Sequence, residues 1–464
     1  MKTLIKSFVL LLILVTVISA TERKRFEKSF TVEPNQRIEI RDLPAMNVKV
    51  KSWDKNEIKF DLQLIIKSSD GDYEKEYIEE FDIVERRTSS DLFLDVVQAS
   101  NGSWSFWDIF KLQFRFYIEK QIRGEIYLPR SNSLYADFKY SDIELGGMTG
   151  ELTLDGRSNN LVLSECSNIR EINNVYGNVT IGKSSGNLLL ESRSSEIKIR
   201  DFDGPVKIEA PYSNVELYNI SRGSEVSTRS AKVKVEKING DLILDVPYCE
   251  VDIKEVKGIV KASDRSGRLT VDRVLGIALD IPYTNLRVKN ILKGDGPPIV
   301  IESRSENLSF SDIERDFQID DSYSNMEFEN IIGNLKLSSR SGIINVNNFK
   351  GNWESETQYS TINLKQLEAE KIKITNRSNP ITIDLKNVPK SIDIKCDYGS
   401  VDISMPRGFQ GEIELKAAYG DIDCDFPLKL KSEGSTARAF GSIGSGNSRI
   451  SIETRSANIT LKQK

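Results

Sequence analysis

The sequence predicts an all-β chain wound as a parallel β-helix (β-solenoid) of about 18-residue coils, and three observations carry that prediction. One position recurs every 18 residues as Tyr140, Ser158, Tyr176, Ser194, Tyr212, Ser230, Tyr248 and Ser266, with tyrosine and serine alternating. Apolar residues keep fixed offsets from it: Val206, Ile208, Val215, Leu217 and Ile220 around Tyr212, and Leu242, Leu244, Val251, Ile253 and Val256 around Tyr248. Pairs two apart are strand periodicity, and the three-residue step between pairs is a turn that swings the inward face round a corner. Thirdly, the rhythm continues more loosely through Tyr283, Ser305, Tyr323, Ser341, Tyr359, Ser378, Tyr398, Tyr419 and Phe440 to Ser456. At about 4.8 Å per coil, roughly eighteen coils would make a rod on the order of 85 Å long. Each coil then buries its inner face against its two neighbours. A right-handed winding is expected, because parallel crossovers usually have that hand.

Lys2 and Lys6 precede an apolar run, Phe8 to Ile18, that ends in Ser19 and Ala20, the pattern of a secretory signal peptide over residues 1–20. The run is shorter than the roughly 20 residues a spanning helix needs, and no later stretch could span. Residues 21–62 carry the first solenoid coil or coils, in Ile38, Ile40, Val48, Val50, Trp53, Ile58, Phe60 and Leu62. The pattern breaks over 63–130. Tyr73 to Phe81 reads there as a short amphipathic helix, Leu92 to Val97 as a strand, and Leu112, Phe114, Phe116 and Ile118 as another. An end coil has unpaired backbone groups, so this insertion is expected to fold over it as a cap. Its aromatics Trp104 and Trp107 could instead form an exposed binding tip. The solenoid proper then runs over 131–464 without a linker, and Pro211, Pro247 and Pro282 mark corners.

A net charge of −5 and a pI near 5.4 argue against nucleic acid, which would want a basic face. The chain has no histidine, which removes Ser-His and Cys-His nucleophiles and every histidine metal site. Cys166, Cys249, Cys396 and Cys424 fall in distant coils or at different offsets, too far apart to bridge, so four free thiols and no cofactor are expected. Carboxylates alone remain for catalysis, and Asp312, Asp320 and Asp321 are the best cluster. No long loops rise to enclose them.

In Leu242, Leu244, Val246, Tyr248 the tyrosine keeps the inward alternation, which places the ladder Tyr140, Ser158, Tyr176, Ser194, Tyr212, Ser230, Tyr248, Ser266, Tyr283, Tyr323 and Tyr359 in the core. Large and small side chains would alternate along the stack, and Tyr212→Ala would then cost about 3 to 5 kcal/mol. The arginine before each serine points outward: Arg157, Arg193, Arg229, Arg265, Arg304, Arg340, Arg377 and Arg455, roughly 9.6 Å apart on every second coil. Such a row could grip a polyanionic glycan. The carboxylates Asp155, Glu191, Glu209, Asp245, Asp280, Glu302, Asp320 and Glu356 lie nearby, so the row is expected to be largely neutralised by diagonal ion pairs. A second outward ladder, Lys198, Glu216, Lys234 and Asp252, alternates in sign and would fix register.

The opening FTVEPNQRIEIRDLPAMNVKVKSWDKNEIKFD, the YLPRSNSLYADFKYSDIEL entry and the tail AFGSIGSGNSRISIETRSANITL resemble the putative-adhesin β-strand-repeat family of exported bacterial proteins, related to the head GIN auto-transporter adhesin domain. The resemblance implies a parallel β-helix in an exported or envelope protein and supplies no catalytic or binding residues. The sequence departs from the family in showing no translocator barrel pattern, so a self-exporting reading is not expected. The reading is therefore an exported, non-enzymatic solenoid for adhesion or envelope interaction, whose partner is a surface glycan or an envelope or host protein. The alternative is a β-helix polysaccharide lyase or hydrolase using surface carboxylates. A third reading is a structural spacer docking through its end aromatics.

Overall fold

The computed structural model describes residues 20–68, 71–97, 118–292, 294 and 296–464. The apolar run Phe8 to Ile18 and the pair Trp104 and Trp107 lie outside them, as does most of the strand expected from Leu112 to Ile118. Among the described residues no helix is long and apolar enough to cross a membrane. The fold is a β-solenoid, and its residues cluster into two compact units, 1–162 and 163–464.

In the first unit, strands Arg37–Leu43 and Met46–Trp53 form one coil. On one side it pairs in parallel with Leu134–Lys139 and Asp142–Gly146. On the other it pairs in parallel with Asp91–Val97 and Ile118–Pro129. The insertion thus supplies a further coil, and the coil that comes first in sequence lies inside the stack. Ala20–Thr31 and Ile118–Pro129 flank Glu57–Ser68 in antiparallel pairing. Ile58, Phe60 and Leu62 therefore belong to an antiparallel ribbon and not to a solenoid coil, which corrects the assignment of 21–62. The reason is their period. Ile58, Phe60, Leu62, Leu64 and Ile66 are buried at every second residue with no three-residue step, so the strand runs straight past the place where a coil would turn. Helix Gly71–Glu80 buries Tyr77 and Ile78 against this ribbon, and Phe81 just beyond it meets Phe26 edge to face at 5.0 Å.

In the second unit, strands stack with an 18-residue register: Ile208 lies against Val226, and Val226 against Leu244. Val215, Val233 and Val251 do the same on the next face. The chain changes direction three times per coil. One corner holds the Tyr/Ser position, with positive φ at Tyr176, Ser194, Tyr212, Ser230 and Tyr248. A second is a bulge whose left-handed residue recurs at Asp201, Asn219, Lys237, Glu255 and Arg273. The third is a turn rich in glycine. A Cβ on Gly204, whose φ is +143°, would stand 1.8 Å from the carbonyl oxygen of Gly186 one coil away. Amides zip the coils together, as where Asn348 donates to Asn330 and Asn330 to Asp312, each at 2.9 Å. Large apolar rings fill part of the core: Phe310 stacks on Phe328 at 5.0 Å, and Trp353 packs edge to face on Phe349 at 5.4 Å.

At its C-terminal end the order of coils departs from the order of the sequence. The coil Ser448–Thr454 and Ile459–Gln463 pairs on one side with Ser391–Cys396 and Val401–Met405. On the other side it pairs with Gly411–Ala417 and Ile422–Cys424. Lys429–Glu433 and Thr436–Ile443 form an antiparallel hairpin on Gly411–Ala417. Phe440 sits in that hairpin, so it is not a solenoid corner as its spacing suggested. The stretch after it, Gly441 to Gly446, has too few apolar side chains to line a coil. All four cysteines are free thiols, three of them buried.

Candidate functional site: an exposed tyrosine and arginine ladder

The Tyr/Ser corner faces solvent. Tyr140, Tyr176, Tyr212, Tyr248, Tyr283, Tyr323 and Tyr359 are all exposed, Tyr212 by 43 % and Tyr140 by 63 %. Ser194, Ser230 and Ser266 are exposed and Ser158 is half-buried. The core ladder expected from alternation is therefore overturned. The inward side chains around Tyr212 are Val206, Ile208 and Ala210, then Ser213, Val215 and Leu217. The three-residue step falls between 210 and 213, so two consecutive residues, Pro211 and Tyr212, turn out together. The left-handed backbone at Tyr212, φ 62°, makes that step. The same step separates Ile281 from Thr284, Asp321 from Ser324, and Thr357 from Ser360, all buried. Alternation could not place it, because the first inward residue after the corner is a small polar one, Ser213, Thr284, Ser324 or Ser360, that does not mark itself as buried.

Because both residues turn outward, tyrosine of one coil meets arginine of the next. The guanidinium of Arg229 lies 4.6 Å from the ring centre of Tyr212, and that of Arg193 lies 5.9 Å from the same ring on its other side. Arg340 covers Tyr323 at 5.7 Å and donates to its hydroxyl at 2.9 Å. Arg377 covers Tyr359 at 5.9 Å. Hydrogen bonding to Tyr398, with the nearby Asp397 charge, holds the Arg455 guanidinium above its usual range. The diagonal ion pairs expected for this row are not made. Among the described residues, Arg193, Arg229, Arg265, Arg304, Arg340 and Arg377 have no carboxylate partner in ion-pair contact, and the guanidinium groups of Arg193, Arg229, Arg340 and Arg377 lie toward phenol rings instead. Glu209 pairs with Lys207 on its own strand at 2.9 Å. In the second ladder Lys198, Glu216, Lys234 and Asp252 do stack in register, yet Lys198 pairs with Glu196 and Glu216 with Arg200.

Beside the Tyr/Arg ladder runs a column three residues before each tyrosine. Asp320 stacks on Ser338, Ser338 on Glu356 and Glu356 on Thr375. Between this column and the arginines lies an open groove of about 600 Å³, with Arg340 and Arg377 on one side and Asp320 and Glu356 on the other. Its floor is buried and internally satisfied. Ser339 donates to Asp321 at 3.0 Å, and Thr357 donates to Asn376 at 3.0 Å. The floor's polar groups are thus taken up internally, while the flanking Asp320, Arg340, Glu356 and Arg377 side chains stand exposed to solvent.

Residues 239–462 match the family model described as Toastrack DUF4097. The Toastrack-like segment contains the groove and the ladder from Tyr248 to Tyr419, and the same alternation continues outside it at Tyr176, Arg193, Tyr212 and Arg229. Among curated proteins none matches the chain. A solved structure from Clostridium sporogenes, described as a putative cell adhesion protein, is similar at 11 % identity over 95 % of this chain and 100 % of its own, with a TM-score of 0.15.

The carboxylates suggested for catalysis do not converge. Asp321 is buried and accepts hydrogen bonds from Ser324 and Ser339. Asp320 is exposed on the groove wall, and Asp312 lies on another strand, at the bulge corner, where it accepts from Asn330. No group of three potential ligand side chains among the described residues could hold a metal. The sequence missed the hydroxyls of the Asp320 column, although Ser227, Ser263, Ser338 and Thr375 recur in it on alternate coils.

Proposed function

We propose that this chain is an exported, non-enzymatic β-solenoid that uses the Tyr/Arg corner as an extended adhesive surface toward a glycan or another envelope component. The observation that carries the reading is the row of outward phenols covered by guanidinium groups that make no ion pairs. Arg193, Arg229, Arg340 and Arg377 are solvent-exposed, as are the phenols they cover, and exposed aromatic and arginine side chains are enriched where proteins bind. The reading of residues 1–20 as a signal peptide, the resemblance to exported bacterial adhesins and the Toastrack DUF4097 match accord with an envelope role. Binding of the purified chain to intact bacterial cells and to isolated envelope polysaccharide, followed by sedimentation, tests it. The Tyr212→Ala/Tyr248→Ala/Arg229→Ala/Arg265→Ala variant should lose binding while keeping its melting curve. Equal binding by this variant and the wild type would move the function elsewhere on the chain.

A further inference from the structure

The surface chemistry repeats every two coils. One coil presents a carboxylate and a tyrosine, as Asp320 with Tyr323 or Glu356 with Tyr359. The next presents a hydroxyl and an arginine, as Ser338 with Arg340 or Thr375 with Arg377. Glu209 with Tyr212, then Ser227 with Arg229, then Asp245 with Tyr248, then Ser263 with Arg265 continue the pattern in strict register. The column next reads Asp280, Glu302, Asp320, so a carboxylate replaces the hydroxyl beside Arg304, as Glu191 does beside Arg193, and Lys395 follows Thr375. A two-coil step is roughly 9.6 Å. That length is close to the disaccharide repeat of an extended β-1,4-linked polysaccharide, in which successive sugars are turned over.

Resting on the adhesive reading above, we infer that the groove from Asp320 to Arg377 binds a neutral, extended β-1,4-linked polysaccharide lying along the stack, one disaccharide to each two coils. Three features select a neutral chain. The groove is lined by Asp320, Asp321, Glu356 and Asp397 against Arg340, Arg377 and Lys395, so it has no net positive charge to attract a polyanion, and its carboxylates would repel one. Carboxylates accept from sugar hydroxyls and guanidinium forks donate to them, so both charges are used by a ligand that has neither. The phenols Tyr323 and Tyr359 stand beside the groove, one per disaccharide; each has a guanidinium over one side of its ring, Arg340 and Arg377, yet stays exposed, which leaves the rest of the ring as an apolar surface on which a pyranose can stack. The groove is open to solvent and spans successive coils from Asp320 to Asp397, which suits a polymer lying along it more than an enclosed small molecule. A polyanion gripped by the arginines, and a protein partner, are the competing occupants.

The experiment is isothermal titration of the full chain with cellohexaose, chitohexaose and polygalacturonate at about 50 and 500 mM salt, where screening separates charge-driven from neutral binding. The expected result is binding of a neutral hexaose that changes less than about twofold with salt and weakens about tenfold or more in Tyr323→Ala/Tyr359→Ala. Asp320→Asn, which keeps an acceptor and removes the charge, should retain binding within about threefold. Circular dichroism melts of these exposed-site variants control for folding. Binding of polygalacturonate alone, falling steeply with salt and lost in Arg340→Ala/Arg377→Ala, would overturn the neutral ligand while leaving the corner as an adhesive surface. No binding to any of the three, together with unchanged cell binding by the corner variants, would overturn both.

Discussion

At the scale of single residues, two positions show how burial and backbone geometry outweigh residue type. Tyr212 is exposed and left-handed, so it contributes little through packing and carries a conformational cost that glycine does not. Tyr212→Ala should cost about 1 kcal/mol or less, well below the 3 to 5 kcal/mol expected of a buried ring. Tyr212→Gly should be at least as stable as the alanine variant, a reversal of the usual order for strand positions. Urea midpoints for the pair check this, and an alanine variant more stable than glycine by about 1 kcal/mol would contradict the left-handed corner. Asp264 is the opposite case. It lies buried beside that corner, accepting from the amides of Tyr248 and Ser266 and the hydroxyl of Thr284, and burial raises its carboxyl above the ordinary value of 3.8. The unfolded chain loses this proton first as pH rises, so between the unfolded and the raised folded value the native state holds the extra proton and stability falls with increasing pH. Asp264→Asn should therefore gain on the wild type as pH is raised from about 4 to neutrality. Measured midpoints that diverge the other way would mean the carboxylate is held ionised.

At the scale of elements, each coil is closed by corners that tolerate little. Gly204→Ala would drive a methyl into the Gly186 carbonyl 1.8 Å away and force a left-of-allowed backbone on alanine, so the two coils must separate. A loss of about 3 kcal/mol or more is expected by denaturant titration, whereas Gly182→Ala, whose added methyl meets nothing within 4 Å, should change stability by less than about 1 kcal/mol. The end elements are also built against fraying. The coil 448–463 is flanked on both sides, so deleting 448–464 uncovers the inner edges of Ser391–Cys396 and Gly411–Ala417 at once. Hydrogen exchange should then accelerate across 391–424 and remain slow across 206–256, because coils couple chiefly to their neighbours. Uniform acceleration along the whole unit would show a longer cooperative reach than nearest neighbours.

At the scale of the molecule, the candidate site is spread along a repeat. Alternation of the Tyr and Arg-Ser coils is regular enough in the sequence to foretell a two-coil period, and the interruption of the hydroxyl at Glu302 marks a place where ligand registry would shift. The sequence by itself determined the solenoid, because side chains recurring at 18 residues can be buried together only if successive coils stack in register. It also determined the outward arginines and the short helix within the insertion. Only the tertiary structure decided the direction of the tyrosines. A three-residue step inverts inside and outside, made at Tyr212 by a left-handed residue, and nothing in the residue types of Ala210 to Ser213 says at which of them the alternation slips. Tertiary structure also decided the stacking order at the ends. Ile58 to Ile66 and the coil 448–463 have apolar patterns that fit several neighbours, and the choice among them rests on pairing partners far away in sequence. The pairing of tyrosine with arginine arises in the same way, since it needs two residues 17 apart to stand side by side on one outward corner.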